Sequence, residues 1–392
     1  MDLGFGGTLF TPGTRLGLEG VGQIIVHERS FPDEVGSTLS TTELILGPSA
    51  AGVGVLEIRD GGHVTAQQTR IGLLGGGQVT VSSQIPAWRA VFETGELSAD
   101  HRAVITVGAN SVMTSASAAL TGGTFVTLSG GPEPSWDIAG DLAVGDANGT
   151  ATVELCPSAA LQVGGSINVA PGSEIRGDGA IRTPGGSLIE GVLAPGCSPG
   201  TLTIEGSYEQ TETGVLVIEI AGSEPGQFDV LNVRGNVTLG GTLELHFVDG
   251  IRPSSDLSVP FLKVGGTLAG TFNNIVATQD GEPADVVLET TLDETGQLRV
   301  RSAAPGQAEL NPAALDQAAL DQTAPACGAG LCGAGAAPLL PLTLLSLAGI
   351  KFTRRNQQRL RWATSAGQCG GRWAALHRRR ASKSAASPRI SP

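Results

Sequence analysis

The sequence predicts an all-β protein, a right-handed parallel β-helix (solenoid), and three observations carry that expectation. Short runs with apolar and polar residues in alternation recur along most of the chain. Glycine supplies 58 of the 392 residues while aromatics supply only 4%. A Gly-Gly-Ser/Thr tripeptide starts at Gly122, Gly164, Gly185, Gly240 and Gly265, with 21 residues between Gly164 and Gly185. Glycine without a collagen period, beside plentiful Val, Leu, Ile and Thr, points to short strands, tight turns and a core of small and branched aliphatics.

The strand runs are VGVLEI (53–58), QVTVS (78–82), AVITV (103–107), FVTL (125–128), ATVEL (151–155), LTIEG (202–206) and VLVIEI (215–220). A period of two places one set of side chains on each face of a strand. No segment of the body has the periodicity of an amphipathic helix. A repeat of about twenty residues matches one coil of a solenoid, whose inward face is buried only by stacking on its neighbours. Glycine provides the positive φ angles that the corners between strands need. A coarser echo links LGPSAAGVGVLEIRDGGHVT (46–65) with VGDANGTATVELCPSAALQV (144–163). A β-sandwich is the competing architecture.

Composition divides the chain. Residues 1–44 form an N-terminal segment, 45–190 glycine-rich repeats, 191–301 a region of longer strands with hairpin-like turns, and 302–326 an Ala- and Pro-rich linker. Residues 327–355 combine cysteines, an apolar stretch and arginines, and 356–392 are a basic tail expected to be disordered. From Lys351 onward there are 11 Lys and Arg and no acid, so the preceding residues hold 13 basic groups against all 37 acidic ones. Such a body repels nucleic acid, whose binding requires phosphate neutralisation. The N-terminus has Asp2 and no basic residue before Arg15, unlike a secretory signal. The expectation is a truncated start, with the tail a read-through or frameshifted extension.

Residues 193–206 (LAPGCSPGTLTIEG), 216–220 (LVIEI), 229–235 (DVLNVRG) and 239–243 (LGGTL) follow one another in an order that resembles passenger regions of bacterial autotransporters and related glycine-rich surface proteins. The resemblance covers residues 45–300. It implies a secreted, surface-displayed, adhesin-like β-helix and no particular ligand. The membrane barrel that ends a true autotransporter has no counterpart after residue 301, where ten-residue alternating strands would be needed.

The residues offer little chemistry. Asp137, Asp141 and Asp146 form the one compact carboxylate group in the sequence, and GDANGT (145–150) echoes the opening of a calcium loop without its later ligands. It is expected to be a turn. His27, His63, His101 and His246 stand far apart, with His63 and His246 at outward strand positions. Trp88, Trp136 and Tyr208 are the aromatics expected at the surface, where they could stack on sugars. Cys156 and Cys197 are expected to be two buried thiols, or a disulfide in an extracellular setting. Pro132-Glu133-Pro134 spells a bacterial sorting tripeptide but lies mid-chain, where a loop is expected. No catalytic residue, cofactor or metal ligand is assigned.

The C-terminal stretch carries the strongest single signal. Cys327-Gly328 and Cys332-Gly333 precede 17 uncharged residues, 334–350, and then Lys351, Arg354 and Arg355. Two cysteines without a second pair make a poor zinc site. A segment of that length is at the short limit for spanning a bilayer, and the following cations place its end in the cytoplasm. The order of motif, short transmembrane helix and basic cluster resembles an exosortase-type sorting signal in its cysteine-glycine variant. That resemblance implies a membrane contact through 334–350 and a processing enzyme as partner. The expected function is a bacterial cell-surface or secreted protein, structural or adhesive, in the envelope or outside the cell, with surface polysaccharide or other envelope components as further partners. A secreted polysaccharide lyase or hydrolase on the same scaffold, and an intracellular or phage-like fibre protein, are the alternatives.

Overall fold

Alternating side chains favour extended backbone, and the chain is extended wherever that pattern runs. The computed structural model describes residues 1–303 apart from 5–6, 28–35, 130, 132–133, 253–257, 285–286 and 293–296. These residues form one 28-stranded, mostly parallel sheet, with no helix among them. Residues 304–392 lie outside the described set.

The pairing interleaves two ladders. Gly20–His27, Gly52–Arg59, Gly76–Ser82, Val104–Val107 and Thr124–Leu128 pair in parallel, each with the next. The same ladder continues through the start of Ala151–Val163 and of Glu174–Ile189 to Val192–Pro195, Val215–Ile220, Thr242–Phe247 and Asn274–Gln279. The strands between them in sequence form the second ladder, beginning with Thr8–Leu16, Thr38–Leu46, His63–Ile71, Ala90–Ala99 and Ser111–Leu120. From there some rungs split in two: Ser135–Ile138 and Leu142–Val144 both pair with Ser111–Leu120, whereas Glu174–Ile189 and Thr201–Gln210 run unbroken past both halves. Parallel pairing of alternate strands is not the antiparallel order of a β-sandwich. The step per rung ranges from 18 residues, Glu174 to Val192, to 32, Gly20 to Gly52, so no single length of about 21 governs the repeat.

Register places like on like. In the first ladder Ile24, Leu56, Val79, Ile105, Val126, Val153, Ile175, Leu193, Leu216, Leu243 and Ile275 stand one above another. All but Ile275 are buried. The second ladder has a parallel column that runs Leu39, Val64, Phe92, Met113, Trp136, Leu161, Ile181, Ile204 and Val233, all buried. Each fully buried aliphatic side chain contributes about 1.5–3 kcal/mol, and the shared column aligns every rung with the next. The core is not aliphatic throughout: Trp136, Tyr208, Phe92, Phe247 and Phe261 are its largest fully buried side chains.

The Gly-Gly tripeptides mark two different corners. Gly164 and Gly265 lie in the gaps that split rungs of the second ladder and Gly185 at the matching register shift inside Glu174–Ile189, whereas Gly122 and Gly240 precede strands of the first, Thr124–Leu128 and Thr242–Phe247. In the former class the need for glycine is close approach: a Cβ on Gly185 would lie 2.5 Å from the Gly165 carbonyl oxygen, and one on Gly265 2.5 Å from that of Arg234. The echo between 46–65 and 144–163 is structural. Leu46 stacks through Ile71, Ala99 and Leu120 onto Val144.

The expectation of hairpin-like turns after residue 191 holds only in part. Between 191 and 247 the strands pair in parallel, each with its partner on the neighbouring rung, while a hairpin-like turn does occur at 219–229, where Ile220 bridges Phe228 antiparallel and the Ala221 N–H donates to the Gln227 carbonyl. Antiparallel strand pairing comes later, where Ser258–Val264 pairs with Gln297–Ala303, which pairs with Val287–Leu292, and where Asn274–Gln279 turns back on Glu282–Pro283.

Candidate functional site

The residues that alternate with the second ladder's core column face outward. In register they read Phe10, Ser40, Thr65, Glu93, Thr114, Asp137, Gln162, Arg182 and Glu205. Neighbours along this column engage one another. Ser40 Oγ and Thr65 Oγ1 are 2.8 Å apart, and Gln162 Nε2 donates to Asp137 Oδ1 at 2.8 Å. Arg234 pairs with Glu205 at 3.4 Å.

Beside the column the strands bend, and the bend is a shallow trough. It holds about 580 Å³ and is lined by Thr114, Asp137, Gln162 and Arg182 together with Ala116, Ala139 and Gly164. A second depression of about 450 Å³ lies over Phe10, Ser40, Thr42, Thr65 and Gln67, on the rungs just before. Burial pushes the Asp137 carboxyl above its ordinary range, against the lowering effects of the Gln162 hydrogen bond and the Arg89 charge. Arg182 is exposed and makes no ion pair with a described residue.

Compared with known proteins, the chain matches no family's sequence profile and none of the curated sequences. Its chemistry is therefore read from its own groups.

Two buried polar centres were not visible in the sequence. Arg176 donates through Nη2 (2.7 Å) and Nε (3.2 Å) to Glu154 Oε2 and through Nη1 to Glu174 Oε2 (3.4 Å), and it lies 5.6 Å from the Phe125 ring centre. Burial raises the Glu174 carboxyl, the Arg176 charge lowers it and Glu154 raises it further. The second centre is Asp229, 1% exposed, whose Oδ1 accepts the Gly200 N–H (2.9 Å) and Oδ2 the Glu219 N–H (2.8 Å). Glu219 in turn accepts a short hydrogen bond from Ser198. Burial, with Glu219 and Asp178 adding negative charge, pushes the Asp229 carboxyl well above its usual range, although both backbone donors oppose this. Two phrases far apart in sequence, 194–200 and 229–235, thus meet at one carboxylate.

The sequence-predicted aspartates have separate partners. Asp141 Oδ1 accepts the Ser166 N–H (2.7 Å) and hydroxyl (2.9 Å), and these bonds lower its pKa. Asp146 accepts the Asn148 N–H (2.7 Å) and Gly149 N–H (2.9 Å), so GDANGT is the turn it was expected to be. Among the described residues no group of three or more His, Cys, Asp or Glu is placed to hold a metal ion. His63 and His246 sit at partly exposed positions, each near a glutamate: Glu93 at 3.4 Å and Glu244 at 3.3 Å.

The expectation for Trp136 and Tyr208 is overturned. Trp136 is inward in Ser135–Ile138, fully buried, and donates from Nε1 to Ser115 Oγ at 3.1 Å. Tyr208 is buried with its hydroxyl 2.7 Å from Gln210 Oε1, while Gln210 Nε2 donates to the Gly214 and Thr242 carbonyls at 3.0 Å. Burial raises the Tyr208 phenol far above its ordinary pKa. Neither ring reaches solvent, and of the three only Trp88 is partly exposed. Cys156 is buried, with Sγ 3.9 Å from Glu154 Oε1, and Cys197 is half-buried. The sorting residues Cys327, Gly328, Cys332, Gly333, Arg354 and Arg355 lie outside the described residues, as do the apolar segment 334–350 and residues 132–133 of the Pro-Glu-Pro tripeptide. Among the described residues no helix is long and apolar enough to cross a membrane.

Proposed function

We propose that the two ladders close into a right-handed parallel β-helix, and that this solenoid is the display scaffold of a bacterial cell-surface or secreted protein, structural or adhesive in role. The observation that carries the reading is the unbroken column from Ile24 to Ile275, in which every strand pairs in parallel with one that follows it 18 to 32 residues later in the chain. Parallel strands joined by short crossovers take the right-handed path in nearly all proteins, which supports the handedness. The passenger-like phrases at 193–243 support surface display, and the residues 327–355 support delivery through a sorting enzyme, with transient membrane contact at 334–350.

A binding role is favoured over catalysis because the buried carboxylates have structural partners. Glu154 is held by Arg176, and Asp229 by two backbone N–H groups. Fractionation of cells expressing the full-length gene, with intact-mass analysis of the product, tests the reading. The expected product is in the envelope or medium and ends near Cys327–Gly333. Uncleaved chain in the cytoplasm would overturn it.

A further inference from the structure

We propose that the trough along the second ladder is a binding track for a linear neutral polysaccharide, with Thr114, Asp137, Gln162 and Arg182 as its hydrogen-bonding residues. This deepens the adhesive role proposed above and rests on the β-helix reading, since the track exists only where the rungs stack. Three properties of the trough select the occupant.

The first is shape. The depression is shallow and crosses successive rungs, and a separate depression over Phe10, Ser40 and Thr65 lies on the rungs before it. Small ligands are held in sites that enclose most of their surface; an open track gains affinity only from a polymer that contacts many rungs at once. Rungs repeat every ~4.8 Å, close to the length of one extended sugar unit.

The second is hydrogen bonding. The rung backbones are paired above and below, so a peptide cannot add to them as a strand. What the trough offers instead is side chains: a hydroxyl, a carboxylate, an amide and a guanidinium on four consecutive rungs. Asp137 accepts, Arg182 donates, and Thr114 and Gln162 do both, which matches a polyol. Arg182 has no ion-pair partner among the described residues, so its donors are open to a ligand.

The third is charge. The chain carries a net charge of −13, and its acids are concentrated before residue 351. Asp137 stands in the trough itself. A polyanion, nucleic acid included, is disfavoured on both counts.

The test is affinity electrophoresis of the full chain in native gels containing hydroxyethylcellulose, dextran or laminarin, with polygalacturonate as the charged comparison. Retardation by at least one neutral glucan is expected. Arg182→Ala and Asp137→Ala are each expected to weaken it about tenfold, as loss of a charge-assisted hydrogen bond does, and Thr80→Ala on the first ladder to leave it unchanged. No retardation by any of the three glucans, retardation by polygalacturonate alone, or equal retardation of all variants would overturn the proposal. Far-UV circular dichroism of the same samples separates the two levels. An intact β spectrum without retardation removes the track alone, whereas a helical spectrum removes the β-helix with it.

Discussion

Two columns of residues, one position apart on the same strands, have opposite fates. Phe92, Met113, Trp136, Leu161 and Ile181 form the inward one, and Glu93, Thr114, Asp137, Gln162 and Arg182 the outward one. Both share the same backbone hydrogen bonds, so the ladder fixes their register equally. They differ only in which face the pleat gives them. Burial makes the first column the part that specifies the stack, and exposure leaves the second free to vary its chemistry from rung to rung.

The sharpest way to break this comparison is a pair of substitutions at adjacent positions. Trp136→Ala is expected to cost about 3–5 kcal/mol, since it empties the column and leaves the Ser115 hydroxyl without its donor. Asp137→Ala should stay within about 0.5 kcal/mol. Chemical denaturation of both variants checks the contrast, and equal losses would show that the inward and outward columns are not distinct. A smaller effect is expected at the corners. Gly185→Ala should lose about 1–3 kcal/mol because its new methyl meets the Gly165 carbonyl. Gly13→Ala, with nothing within 4 Å, should be close to neutral.

The weakest effect expected is with pH. The folded pKa of Asp229 is raised above its unfolded value, so the folded state holds its proton more tightly than the unfolded chain does. Stability from this group is therefore greatest at or below the ordinary carboxylate range. It falls as pH rises through that range to the folded pKa and is level above it. Glu174 and Asp178, also raised by burial, act in the same direction. Melting temperatures should be higher at pH 5 than at pH 7.5, and Asp229→Asn should reduce the difference. A difference of the opposite sign would contradict the burial of Asp229 as an acid.

The strands were legible because alternation is local: every run quoted from the sequence falls in a strand. Trp136 and Tyr208 obey the same rule. In SWDI the apolar positions are 136 and 138, so the tryptophan lies inside with the isoleucine, and phase along the strand, not the rarity of aromatics, decides its burial. The Gly-Gly spacing was misleading. Two non-equivalent corners both need glycine, one beside a neighbouring rung's carbonyl and one ahead of the next strand, so their intervals mix two steps. The Asp229 centre could not be read at all, since it joins residues 196–200 to 229 through a register that only the fold supplies. The trough was similarly hidden, because Thr114, Asp137, Gln162 and Arg182 share no motif and meet only by stacking.

Cross-linking tests the stacking most directly. In a background with the native cysteines replaced by serine, Thr114→Cys with Asp137→Cys places the two thiols at directly paired positions on adjacent rungs. Paired strands are ~4.8 Å apart, within the Cα separation a disulfide needs, whereas Thr114→Cys with Gln162→Cys spans two rungs. Peptide mapping after mild oxidation should find the 114–137 disulfide in high yield and the 114–162 disulfide absent. Equal yields, or none for the first pair, would contradict the parallel register on which the account rests.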